Sequence, residues 1–144
     1  MKVYILNGPN LNLLGKREPE IYGNETWEDI LLFLRNTFPE YELLDFQSNV
    51  EGELVTYLQG LLHSDAAAVL INAGAYSHYS YALHDALKLL SIPKIEVHLS
   101  NIFQREAFRH HSVLSAVCEG VVSGFGKYSY AMALFGLPAF VKKG

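Results

Sequence analysis

Ala67-Ala68-Val69-Leu70-Ile71-Asn72-Ala73 is apolar at every position but the sixth, where an amide interrupts the run. A strand with one wet face alternates apolar and polar residues, whereas a strand apolar on both sides is covered on both sides, as in a parallel sheet flanked by helices. Similar short β-rich runs recur at Lys2–Leu6, Glu42–Phe46, Lys94–Leu99 and Gly120–Ser123. Helical spacing fills the gaps. Trp27, Ile30, Leu31 and Leu34 follow a Thr26-x-x-Asp29 capping pattern, and Leu54, Tyr57, Leu58 and Leu61 follow Ser48-Asn49-Val50-Glu51. Ala82, Ala86, Leu87 and Leu90 predict a third helix, Arg105–His111 a short fourth, and Tyr130–Phe135 part of a last one. This alternation predicts an α/β fold, a doubly wound five-stranded parallel sheet with helices on both faces.

The 144 residues are half hydrophobic and 18% charged, without a composition break, a linker or an internal repeat, so one domain is expected over residues 1–144. A formal charge of −4 gives no basic footprint for nucleic acid, although local Arg and Lys can still bind a small anion. Cys118 is the only cysteine, which excludes an intrachain disulfide and suits a reducing cytoplasm. One lysine and four apolar or aromatic residues precede Asn7-Gly8-Pro9, too short for a signal-peptide core, and no run reaches transmembrane length. A soluble cytoplasmic protein, without membrane or nucleic-acid partners, is expected.

In doubly wound sheets ligands bind outside the carboxyl ends of the strands, where the strand order reverses. Polar segments stand at each of those ends: Asn7-Gly8-Pro9-Asn10, Gln47-Ser48-Asn49, Asn72-Ala73-Gly74, His98-Leu99-Ser100-Asn101 and Gly124-Phe125-Gly126. The first opens a stretch of about seventeen residues with no regular periodicity, a length found in lids and binding loops. Leucines anchor it, and it sets Arg17 five residues before Tyr22. Taken alone, Arg17 reads as a solvated charge and Tyr22 as packing. Together they suggest a base, since a nearby cation lowers a phenol from its usual pKa of about 10 by about 1 to 3 units.

Glu96 and His98 are two residues apart in a strand and therefore share a face, where a carboxylate can fix the imidazole's tautomer and stabilise its protonated form. A packed strand-end histidine is the plain alternative; the position at the carboxyl edge favours an acid or base. A tyrosine base and a histidine acid in separate environments suggest a proton-transfer elimination. Asn72, Gly74 and His78 form a candidate clamp for a carboxylate or hydroxyl at a helix entry, and Arg109 is either a cation for the same pocket or a surface charge.

Other motifs fail. Gly124-Phe125-Gly126 lacks the third glycine and the later acid of a dinucleotide loop, so no nicotinamide or flavin is expected. Adjacent His110 and His111 cannot face one ligand from a helix, and no metal is expected. Neither a Gly-x-Ser-x-Gly elbow nor a phosphate loop is present.

The combination of Asn7-Gly8-Pro9-Asn10-Leu11 with Arg17-Glu18-Pro19 and Tyr22-Gly23, then Gln47-Ser48-Asn49-x-Glu51-Gly52-Glu53, Asn72-x-Gly74-Ala75-Tyr76-x-His78, Glu96-Val97-His98-x-Ser100-Asn101 and Arg105-Glu106-x-Phe108-Arg109, resembles type II 3-dehydroquinate dehydratases nearly end to end. The resemblance implies a flavodoxin-like fold and a cofactor-free anti elimination of water from 3-dehydroquinate, through an enolate, to 3-dehydroshikimate. That step serves the shikimate pathway of aromatic amino-acid biosynthesis or quinate breakdown. By resemblance Tyr22 is the base, Arg17 lowers its pKa from a lid over about residues 10–23, His98 is the acid, Glu96 orients it, and Asn10 stabilises the enolate. Asn72, His78, Leu99, Ser100 and Arg109 match substrate-holding positions. Asp85 matches a position that reaches a neighbouring subunit's site, in a family that assembles as trimers grouped into a dodecamer. Phe103, His110 and Ser129 depart from the family pattern at positions outside the catalytic set. The competing reading is a non-catalytic flavodoxin-like module that binds small anions. Its mark would be loss of Arg17, Tyr22 or His98, and all three are present.

Overall fold

The apolar run that begins at Ala66 lies at the centre of the sheet as β3, Ala66–Asn72, with its last five residues buried. The computed structural model describes residues 1–16, Glu18, Glu20 and 24–141. In chain order β1 is Lys2–Asn7, α1 Trp27–Thr37, β2 Glu42–Gln47 and α2 Glu51–Gly60; after β3 come α3, Tyr81–Lys88, β4, Lys94–His98, β5, Gly120–Ser123, and α4, Tyr128–Gly136. Every pairing is parallel and the order is β2-β1-β3-β4-β5. This is the flavodoxin-like order, whose reversal falls between β1 and β3.

The two faces are covered as the apolar runs require. On one, Trp27, Ile30 and Leu34 of α1 and Tyr130 and Leu134 of α4 pack against Val3, Ile5, Leu70 and Val97. On the other, Leu54 and Leu58 of α2 and Leu83 and Leu87 of α3 cover Leu6, Val69 and Ile71. Trp27 also donates its indole N–H to Asp45 of β2 at 2.8 Å, which ties α1 to the edge strand.

Local chemistry explains the helix starts. Thr26 and Asp29 make a reciprocal capping box on α1. The cap expected for α2 differs: Val50 is its N-cap without a side-chain bond, because Ser48 Oγ accepts from Val50 N–H and donates to Glu53. For α3 the Ser80 hydroxyl accepts from Leu83 N–H, and this start turns Leu83 rather than Ala82 toward the sheet. The expected helix over Arg105–His111 is a single 3-10 turn, Ala107–Arg109, since Arg105 and Glu106 both have extended backbone. No helix among the described residues is long and apolar enough to cross a membrane.

Candidate active site

The carboxyl ends of β1 and β3 are held closer than side chains would allow. Gly8 N–H donates to Asn72 O at 2.7 Å, and a Cβ on Gly8 would stand 2.5 Å from Ala73 O. Gly74, at φ +58°, passes close to Pro9, where a Cβ would lie 3.2 Å from the carbonyl oxygen, a looser fit than at Gly8.

Asn10 is left-handed, at φ 70°, and introduces a 3-10 turn over Leu11–Leu13 whose Leu11 is buried; Leu14 is buried just beyond it. Its N–H donates to Asn49 Oδ1 at 3.0 Å, and Gln47 Nε2 donates to Gly8 O at 3.1 Å and Asn49 Oδ1 at 3.2 Å. Tyr76 completes the clasp by donating to Asn49 O at 2.6 Å. The polar segment after β2 therefore shapes the loop after β1. Expected only as polar punctuation, Gln47 and Asn49 set the Asn10 backbone.

Beside this loop a cleft is lined by Asn10, Asn72, His78, His98, Leu99 and Ser100, with Arg105 and Arg109 at its far wall. The structure thus brings together the residues expected from β1, β3 and β4. It adds Arg105, which donates to Ser100 Oγ at 3.4 Å and stands four positions before Arg109 in the motif, the one signal that could have suggested it. Arg109 Nε donates to Glu106 Oε2 at 2.6 Å. Arg17 and Tyr22 lie outside the described residues. Asp85 is not in this cleft: it stands on α3 beside His84, with its side chain 79% exposed.

The dyad expected on β4 is present. His98 Nε2–H donates to Glu96 Oε2 at 2.5 Å, and Glu96 is fully buried. This leaves Nδ1 as the ring nitrogen available to the cleft. Glu96 also accepts from Ser112 Oγ at 2.7 Å and Ser115 Oγ at 2.5 Å. Burial pushes its carboxyl pKa up, but the His98 bond and charge, with both serine bonds, outweigh that and leave it below the ordinary carboxylate value.

His78 stacks on His98 with ring centroids 6.3 Å apart. Its Nδ1–H donates to His111 O at 2.8 Å, which turns Nε2 into an acceptor. Burial lowers its pKa despite that bond, and His98 and Arg109 push the same way, which favours the neutral form of His78. Cys118 behind the site is no nucleophile, as burial and the nearby Glu96 and Glu119 push its thiol up to about 12.

Asn72 is oriented from beneath. Its Oδ1 accepts from Gly74 N–H at 3.3 Å, and its Nδ2 donates to Tyr130 Oη at 3.0 Å, while Tyr130 donates to Asn7 Oδ1 at 2.6 Å. Tyr130 is fully buried, and burial raises its pKa, so the hydroxyl stays protonated. In sequence Tyr130 opens the last helical stretch, and nothing in that reading reveals the polar contact. Tyr130→Phe is expected to destabilise the protein by about 1–3 kcal/mol, because Asn7 and Asn72 each lose a buried partner. Urea unfolding checks this; an unchanged midpoint would show that the hydroxyl is replaced by water.

The cleft offers amides, an acid–base imidazole and guanidinium groups, a set suited to a small oxygen-rich anion and to moving protons on it. Among the described residues no group of three or more His, Cys, Asp or Glu is arranged to hold a metal ion.

Comparison with known proteins agrees with this chemistry. The family described as dehydroquinase class II matches residues 1–137. A 3-dehydroquinate dehydratase of Caldicellulosiruptor bescii is 51% identical over 138 residues, covering 94% of this chain and 95% of that protein. One from Clostridium perfringens strain SM101 is 46% identical over 144 residues, covering 99% of each. The crystal structure of type II dehydroquinase from Butyrivibrio crossotus superposes with a TM-score of 0.93 at 45% identity, covering 96% of this chain and 97% of that one.

Proposed function

The chain belongs to the dehydroquinase class II family, and from that premise we infer that it is a hydro-lyase that converts 3-dehydroquinate to 3-dehydroshikimate through an enolate, without a cofactor. The observation that carries this reading is the buried Glu96–His98 pair opening on a cleft of amides and guanidinium groups.

In the proposed mechanism the Tyr22 phenolate, favoured by Arg17, takes the proton alpha to the ketone. The electron pair moves onto the ketone oxygen, where Asn10 stabilises the enolate directly or through water. His98 then protonates the departing hydroxyl from the opposite face; the carbonyl reforms and the new double bond is conjugated with it. The departing water is made of the substrate hydroxyl and the His98 proton, and the proton held by Tyr22 returns to His98 through solvent, so the cycle closes without a redox partner. Ser100 with the Leu99 backbone, and Arg109 through the donors not spent on Glu106, hold the substrate carboxylate. Asn72 and His78 hold its hydroxyls; the acceptor nitrogen of neutral His78 fits that task.

Residues 10–23 act as the lid that brings Arg17 and Tyr22 over the cleft. The reading extends to trimers grouped into a dodecamer, with Asp85 reaching a neighbouring site. Supporting it, Tyr81 and Leu89, one turn on either side of Asp85, are large apolar residues left exposed on the same helix face. The single cysteine fits a cytoplasmic setting.

Purified protein mixed with 3-dehydroquinate is expected to give a rising ultraviolet absorbance as the conjugated product forms. A folded, assembled protein that produces none would overturn the dehydratase reading in favour of an anion-binding module.

A further inference from the structure

The geometry points to Ser112 and Ser115 as positioning residues that set the Glu96 carboxylate for His98, a deepening that rests on the dehydratase reading above. Glu96 has two oxygens with different tasks. Oε2 accepts from both His98 and Ser112, whereas Oε1 accepts, among the described residues, from Ser115 at 2.5 Å. Donors on opposite oxygens fix the carboxylate plane, and with it the direction in which Oε2 meets the ring. Without Ser115, Oε1 is a buried charged oxygen with no partner among the described residues. The carboxylate then gains by rotating toward another donor and withdrawing Oε2 from His98.

Both serines are themselves held. Ser112 Oγ accepts from Leu114 N–H at 3.1 Å, and Leu114, between the serines, is fully buried in the core. The same segment is pinned to the turn that carries His78, through Val113 N–H to Ser77 O at 2.8 Å and His78 Nδ1–H to His111 O at 2.8 Å. One stretch, residues 111–115, therefore orients two rings that stack in the cleft. Neither serine reaches the reacting atoms, so their effect passes through Glu96 and His98.

The test measures kcat and KM for 3-dehydroquinate in the parent, His98→Ala, Ser112→Ala, Ser115→Ala and Ser115→Thr, with thermal melts of each. Ser115→Ala is expected to lower kcat on the order of tenfold, the value of a hydrogen bond to a charged group, with KM within about twofold. Ser112→Ala, whose loss leaves Oε2 still bonded to His98, is expected to show a smaller drop. Ser115→Thr, which keeps the hydroxyl, is expected to recover most of the parental kcat.

Parental kcat in folded Ser115→Ala and Ser112→Ala, or a loss confined to KM, would overturn the assignment. Should Ser115→Ala fail to fold, Ser112→Ala decides alone, and its parental kcat overturns the claim. An inactive parent would instead sink the dehydratase reading, so the two failures are distinct.

Discussion

His98→Ala is expected to abolish most product formation, by about 10²–10⁴-fold in kcat, while the substrate still exchanges its alpha proton with deuterium oxide. The two halves of that result follow from the order of events in an enolate elimination. The base acts first and needs only the ketone to accept charge; the acid acts second, on a hydroxyl that is a poor leaving group until protonated. Removing the acid leaves the first step running and reversible. Tyr22→Phe, by contrast, is expected to stop exchange and product formation together, because no proton leaves carbon. Mass spectrometry of recovered substrate, with absorbance for product, separates the cases. Undiminished turnover in folded His98→Ala would move the acid away from β4, and exchange surviving in Tyr22→Phe would place the base elsewhere. Tyr22→Phe keeps the tyrosine ring, whereas His98 is buried and partners the buried Glu96, so thermal melts accompany His98→Ala and the rates are read on folded protein.

The sheet was legible because its inner strands are covered on both faces, and an apolar run such as that ending at Asn72 has few alternatives to a parallel strand. Bounds were less legible where a side chain chose between two backbone partners. Ser48 looks like a helix cap in sequence, yet its hydroxyl serves Val50 and Glu53 instead, and α2 begins without a side-chain cap. Ala82 follows helical spacing as well as Leu83 does, and only the Ser80 cap decides which of them faces the sheet. Around Arg105 the periodic residues suggested a helix, but extended backbone at Arg105 and Glu106 confines it to one turn.

Much of the cleft's geometry was legible for a different reason: Asn10, Asn72, Glu96 and His98 sit at or near the carboxyl ends of strands, where a parallel sheet gathers them. The Glu96–His98 pair needed only the two-residue period of a strand. The supports were not legible. Asn49 reaches Asn10 across 39 residues, Tyr130 reaches Asn72 across 58, and Ser115 reaches Glu96 from a turn with no regular spacing. Such contacts depend on where layers meet, information that periodicity within one element does not contain. Asp85 reads in sequence as a polar position on a largely apolar helix, and in the single chain it is exposed and meets its neighbour His84.

Glu96→Gln separates the orienting role of that carboxylate from its bulk. The amide fills the same volume and can still accept from His98, but it carries no charge to hold the ring when it is protonated. A hydrogen bond to a charged partner is worth about 1.5–3 kcal/mol, so kcat is expected to fall by one to two powers of ten, about 10- to 150-fold, with KM little changed. The same substitution should alter acid stability, and the sign can be worked out. The folded protein holds the Glu96 carboxyl below its ordinary pKa, so its charged form contributes stability above the ordinary carboxylate range. That contribution is lost as pH falls through the folded pKa. The parent should therefore lose its advantage over Glu96→Gln as urea unfolding is repeated from pH 7 downward through that range. His78, whose pKa burial lowers, also costs stability below its ordinary value of 6.5; the Glu96 charge partly offsets that lowering, so the cost is larger in Glu96→Gln, and the Glu96 effect is read in the carboxylate range, below the His78 titration. Parallel stability curves would show that Glu96 ionises no more readily in the fold than in the unfolded chain, and the dyad would then have to work by shape alone.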